Sequence, residues 1–189
     1  MNIFVLDANP ITAARMMCDK HIPKMVVESA QMMASVVLRW GATVEQMPLT
    51  KNGTPYRGGH PNHPCTVWAG DSFGNFSWLN DHAIALCVEY TSRFGKTHAC
   101  TDPISQLWSL GIKVKRSTGM AMTPFALAMP QEYRPCAGAM EHDGRMVGII
   151  THARARDAVQ AYRAYYHTKD FAKWEKGTPA PDWWTKEEE

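Results

Sequence analysis

No run of about 18 apolar residues occurs anywhere in this chain, so a membrane-spanning helix is not expected. There is no Gly-x-Gly-x-x-Gly strand-to-helix turn and no phosphate-loop signature, so the familiar mononucleotide folds are not indicated. The five cysteines at 18, 65, 87, 100 and 136 are odd in number and scattered, with no Cys-x2-Cys pair. That pattern argues against a disulfide framework and for reduced thiols in a cytoplasm. The first ten residues, MNIFVLDANP, carry neither a basic region nor a long apolar stretch, so no signal peptide is expected. A cationic excess is also missing: 20 Lys and Arg face 18 Asp and Glu, a net charge of +2. Tight, nonspecific duplex binding needs many phosphate-neutralising contacts and is not favoured. One pocket for a small anion needs only two or three cations and stays open.

What the chain does have is apolar mass. Of its 189 residues 45% are hydrophobic, with twelve Met and seven Trp, enough for one folded domain with a dense and partly adaptable core. NIFVL (2–6) reads as a short β-prone strand, with Asp7 or Asn9 capping a helix from about 11 to 20 that Pro10 can open. Pro23 belongs in the first turn of a new helix, about 23–40, which Gly41 ends. Asp19, Lys20 and His21 then fall at a helix–helix joint. Residues 48–63 are rich in Pro and Gly and read as a loop. A short helix over 64–70 and a long one over 75–94, closed by Gly95, follow. A further helical turn begins after Pro103, KVKRSTG (113–119) reads as a basic loop, and TPFALAMP (123–130) as helical. EHDGRMVGII suits a small hairpin near 141–150, the last helix covers about 152–168, and the tail from about 176 is irregular. The expectation is a mainly α, single compact domain over 1–189.

The helix after Pro23 is apolar nearly all round, which marks it as central. Its exceptions, Lys24, Glu28, Gln31 and Ser35, follow i, i+4, i+7 and i+11 and so share one face. The long helix repeats the device with His82, Glu89 and Arg93, followed by Lys96 and His98. A buried charge is costly unless paired or set against a wet cavity. The two stripes therefore either line one cavity between them or form an internal network. In the bland form of that network, Lys24–Glu28 and Glu89–Arg93 are ordinary i, i+4 pairs.

HPNHPC supplies His60, Asn62, His63 and Cys65. Cys18-x2-His21 and His60-x2-His63 have zinc-compatible spacings, but hydrogen-bond donation or proton transfer suits these histidines better, and no metal or cofactor is expected. Lys113, Lys115 and Arg116 form a solvated basic loop. Tyr162, Arg163, Tyr165 and Tyr166 mix rings and charge as a base with its phosphate would require, with ordinary packing as the alternative.

NIFVLD, CDKHIPKMVVESAQM, NHPCTVW, EYTSRFGKTH, TPFALAMP and AYRAYY…FAKW, in that order, resemble a family of small uncharacterised proteins encoded by tailed bacteriophages. The resemblance runs from residue 2 to about 184 and omits EHDGRMVGII. It implies expression in an infected bacterial cytoplasm, where such proteins act on nucleic acid, on nucleotide pools or against host defence.

Three function classes follow. The first is recognition of a nucleotide-type ligand in a helical pocket, sequestering or cleaving a host immune signal. Lys24, Arg93 and Lys96 would hold phosphate, and Gln31 and Asn62 would read base or sugar edges. Asp19, Lys20 and His21 would sit at a helix N-terminus that favours an anion, with His63, His82 and His98 completing the lining. The second is an enzyme acting on DNA bases or nucleotides, of glycosylase or transferase type, using metal-independent acid–base chemistry. Glu28 or Glu89 would be its base, assisted by His21 or His63. The third is an inhibitor that binds a host protein. A homo-oligomer is compatible with the first.

Overall fold

The computed structural model describes residues 1–115, 119–135 and 151–185. The fold is mainly α. Helices α1 (Pro10–Arg15), α2 (His21–Arg39), α3 (Pro64–Asp71), α4 (Phe73–Phe94), α5 (Thr101–Val114) and α6 (Ala155–Tyr166) are joined by one small antiparallel sheet. In it β1 (Phe125–Ala126) pairs with β2 (His152–Ala153), Phe125 opposite Ala153. No helix among the described residues is long and apolar enough to cross a membrane.

Local chemistry sets most boundaries. Asn9 accepts the N–H groups of Ile11 and Thr12 and caps α1, with Pro10 in its first turn. His21 opens α2 two residues before Pro23, whose missing N–H falls among the unpaired groups of the first turn. Gly95, at φ 68°, supplies the left-handed residue that ends α4. α2 and α4 pack on each other, with α1 and α5 against them. Ile22, Met25, Val26, Met33, Leu79 and Leu86 are fully buried, each stabilising the fold by roughly 1.5–3 kcal/mol of apolar transfer. The loop before α3 is docked on α2 at Gly58, whose φ is 73° and where the Ser35 backbone and hydroxyl occupy the space that a Cβ would need.

Three expectations change. Residues 2–6 are not a strand. Phe4 adopts φ 35°, which turns the chain, and the N–H groups of Ile3 and Phe4 donate to the Asn2 side chain instead of to a neighbouring strand. The turn after Pro103 extends through Val114, because Ile104, Leu107 and Leu110 bury one face of a 14-residue helix. Lys113 is therefore helical rather than part of a basic loop. Residues 123–130 contain β1 in place of a helix, since Phe125 and Ala126 find a partner strand at 152–153. The proposed hairpin at 141–150 lies outside the described residues, as does Arg116.

The stripe of α4 does not face that of α2 across a cavity. The Arg93 side chain is fully buried. It donates to the carbonyls of Met17 and Arg15 at 2.8 and 2.9 Å, to Asp19 at 3.0 Å and to Glu89 at 3.0 Å. Glu89 also accepts from Thr178 and lies 3.7 Å from Arg15, and Asp19 accepts the Glu175 amide. This closed network ties the end of α1 and the C-terminal tail to α4. It corrects the assignment of Arg93 to phosphate and of Asp19 to a ligand, because both are engaged within the network; Glu89 is the ion-pair partner of Arg93 and also borders a cavity lined by Ile11, Arg15 and Ile84, away from the stripe of α2. Replacing Arg93 by Met strands two carboxylates and is expected to cost about 3–5 kcal/mol, read as a fall in the urea midpoint at unchanged m-value.

Candidate active site

The stripe on α2 is a different case. Glu28 is nearly buried, and the start of the chain folds onto it. The Asn2 backbone N–H donates to Glu28 Oε2 at 2.9 Å, and the α-amino nitrogen of Met1 lies 3.8 Å from the same oxygen. Lys24, one turn earlier and largely exposed, places Nζ 3.6 Å from Oε1. One carboxylate thus holds an α-amine, an amide and a lysine.

Asn2 fastens this arrangement. Its side-chain oxygen accepts from Ile3 and Phe4, and its amide donates to the Ala128 carbonyl at 2.7 Å. Ala128 N–H donates to the Tyr162 hydroxyl, which donates to Ala126 at 2.8 Å. The first residues are therefore bolted to β1 and α6, and the left-handed Phe4 is a strained residue held by its surroundings. Thr66 of α3 donates to the Met1 sulfur.

Of the three predicted histidines with ring hydrogen bonds, His63 stands beside the Met1 amine and Glu28, while His21 and His98 lie at the start of α2 and before α5. His63 caps α3, and its Nδ1 accepts the Cys65 N–H at 3.2 Å, so its proton sits on Nε2. Burial lowers its pKa, and the Met1 ammonium and His60 lower it further against an opposing pull from Glu28. At His21, Tyr166 already accepts the Cys18 N–H. The Tyr166 hydroxyl therefore donates to Nδ1 at 2.7 Å, and burial with Lys24, Lys169 and Lys20 nearby depresses the imidazole to about 4. His98 accepts the Cys100 N–H on Nδ1. Burial lowers its pKa first, then the Lys51 charge, against a hydrogen bond to the Pro23 carbonyl, and it serves to join the starts of α2 and α5. Proton transfer by His21 near neutral pH is therefore corrected to hydrogen-bond donation and packing. Cys65, beneath the site, has its thiol pushed up to about 12 by burial, which removes it as a nucleophile.

The remaining predicted residues divide. Gln31 lies beside Gly59 of the docked loop, on the face of Glu28. Asn62 and Lys96 are exposed. Lys20 is exposed and sits 4.5 Å above the Phe171 ring. His82 is fully buried, stacks on Trp78 at 5.0 Å and finds no partner for either ring nitrogen, so it is a core residue and not part of a ligand lining. Among the described residues no group of three or more His, Cys, Asp or Glu is placed to hold a metal ion.

Sequence reasoning missed the Met1 amine, Asn2 and the fastening by Tyr162. One signal was present. NIFVL is too apolar to stay in water, and burying it draws the amino group inward with it.

The family model described as pyrimidine dimer DNA glycosylase matches residues 1–102 of this chain. No curated protein and no solved structure matches it. The matched residues contain Met1, Asn2, Lys24, Glu28 and His63, and end before β1 and α6.

His82 and His21 make acid stability measurable. Burial alone lowers the His82 pKa to about 3, and His21 stands at about 4, both against 6.5 when unfolded. Between those values the unfolded chain binds more protons, so stability is complete above pH 6.5 and is lost as pH falls below it. The loss is roughly 1.4 kcal/mol per histidine per pH unit. Urea titrations at about pH 7, 6 and 5 should show a dependence approaching two protons, and His82→Phe should remove about half of it. An unchanged dependence in that variant would refute the assignment.

Proposed function

The chain belongs to the pyrimidine dimer DNA glycosylase family, and from that premise we propose that it is a DNA glycosylase that removes damaged pyrimidines by amine catalysis at the Met1–Glu28 site. The supporting observation is the α-amine held 3.8 Å from a nearly buried carboxylate. In this reading the amine attacks C1′ of the damaged nucleotide. The N–C1′ bond forms as the glycosidic C1′–N1 bond breaks, and its electron pair leaves with the base. Glu28 takes the proton released by the amine; the C1′–O4′ bond then opens, O4′ takes up a proton, and the nitrogen lone pair forms an iminium at C1′ that Glu28 stabilises. His63, with its proton on Nε2, is a donor for the sugar or the departing base.

Lys24 is the competing amine, 3.6 Å from the same carboxylate. Met1 is favoured because its amine is buried against the carboxylate together with the Asn2 amide, whereas Lys24 is largely exposed.

This is the second of the function classes read from the sequence, and the family match supports it over a free-nucleotide ligand. The small net charge weighed against DNA because it averages over the surface. A local cluster of cations is what a strand meets, and the average hides it.

Incubation with a UV-irradiated duplex and borohydride should reduce the iminium to a stable protein–DNA adduct. Its peptide map should place the link on the N-terminal amine, and blocking that amine should abolish the adduct. Glu28→Gln should fold and bind, with turnover lowered about 10²–10⁴-fold. An adduct on Lys24, or full turnover with a blocked amine, would overturn the assignment of the nucleophile.

A further inference from the structure

Beside the amine site runs a continuous stack of rings with a lysine at each end. Lys20 Nζ lies 4.5 Å above Phe171, and Phe171 meets His21 edge-on at 5.2 Å. His21 stacks on Phe4 at 4.8 Å, Phe4 stacks on Tyr165 at 6.2 Å, and Lys169 Nζ lies 3.6 Å above Tyr165. Phe4 is tied to the site through Asn2, whose side chain accepts the Phe4 N–H and whose own N–H donates to Glu28. The inner rings, His21 and Phe4, are buried, and the lysines cover the outer two. A base stacking on the lysine-covered faces would have to displace an ammonium group, although Phe171 stays partly exposed. The accessible chemistry is cationic.

Among the described residues neither Lys20 nor Lys169 has a carboxylate within ion-pair distance. Asp19 is engaged with Arg93 and the Glu175 amide, Glu28 with the chain start and Lys24, and the exposed Asp170 between Lys169 and Phe171 makes no ion pair with either lysine. Lys169 also donates to Thr168. A ring face beneath an ammonium limits its freedom without neutralising it, so both charges are held ready for an anion. The charges of Lys20, Lys24 and Lys169 all act on His21, which places the three around one locus.

We infer that Lys20 and Lys169 bind two backbone phosphates of the DNA strand whose nucleotide enters the Met1–Glu28 site, with the ring stack as their support. The inference rests on the DNA-acting reading above and deepens it. Tyr165, Lys169 and Phe171 lie beyond residue 102 and Lys20, His21 and Phe4 before it, so the grip is shared between the part of the chain that the family match covers and the part that it does not.

The test is equilibrium binding of a duplex carrying a pyrimidine dimer, in a Glu28→Gln background to prevent turnover, over about 50–200 mM salt. Each phosphate contact contributes about 0.9 to the slope of log affinity against log salt. Adding Lys20→Ala and Lys169→Ala should lower the slope by roughly 1.8, with thermal midpoint and circular dichroism unchanged. Lys20→Arg with Lys169→Arg, which keeps both charges, should restore it. If the parent binds and the double alanine variant keeps the parent slope, the inference is overturned while the glycosylase reading stands. If the parent does not bind the duplex even at the lowest salt, the DNA-acting reading fails and this inference falls with it.

Discussion

A carboxylate placed in the middle of an apolar helix must be compensated or the helix cannot be buried. Glu28 meets this demand with the start of its own chain: the Asn2 amide at 2.9 Å and the Met1 amine at 3.8 Å. Much of the architecture follows from bringing those two nitrogens in. The chain turns at Phe4 through a left-handed residue, Asn2 satisfies the amides that a strand would have paired, and β1 and α6 provide the anchorage. Compensation and reactivity are the same contact here, since the groups that make Glu28 tolerable are an amine and a lysine next to a proton acceptor.

The cations divide by their solvation. Arg93 is fully buried, and its planar fork satisfies two carbonyls and two carboxylates at once, a geometry that lysine could not reproduce. The lysines near the site keep their ammonium groups in water and lean on rings or on Glu28. The histidines are kept neutral by burial and by backbone amides on Nδ1. Positive charge near the site is therefore carried by ammonium groups, and the imidazoles contribute direction through a fixed N–H.

Helix boundaries were legible wherever a local rule governs them. Asn9 with Pro10, Pro23, Pro64 and Gly95 each mark an end within about two residues of where it falls. The polar stripe Lys24–Glu28–Gln31 was legible too, because i, i+4, i+7 spacing puts it on one face whatever the tertiary fold. What lay out of reach depends on distant pairing. Residues 125–126 become a strand only because 152–153 come to meet them. Arg93 looked like a ligand group because nothing local shows that the carbonyls of Arg15 and Met17 lie in wait for it. The length of α5 was within reach, since Ile104, Leu107 and Leu110 carry the helical period, and the lysines at its end drew attention away from it.

The bolts through Tyr162 and Tyr166 carry a consequence for how the molecule can be divided. The groups proposed for catalysis all come from the first 63 residues, within the segment that the family model covers. Yet Tyr166 is what pins His21 and Cys18, and Tyr162 is what holds the backbone on which Asn2 hangs. The unit that resembles other proteins is thus smaller than the unit that can stand alone. A fragment cut at residue 102 would carry every atom of the chemistry and leave Phe4, Ile3 and the chain start without a surface to lie against. In this molecule the residues beyond 102 hold in place the chain start that carries the proposed site, so substitutions on one side of that contact are constrained by fit to the other.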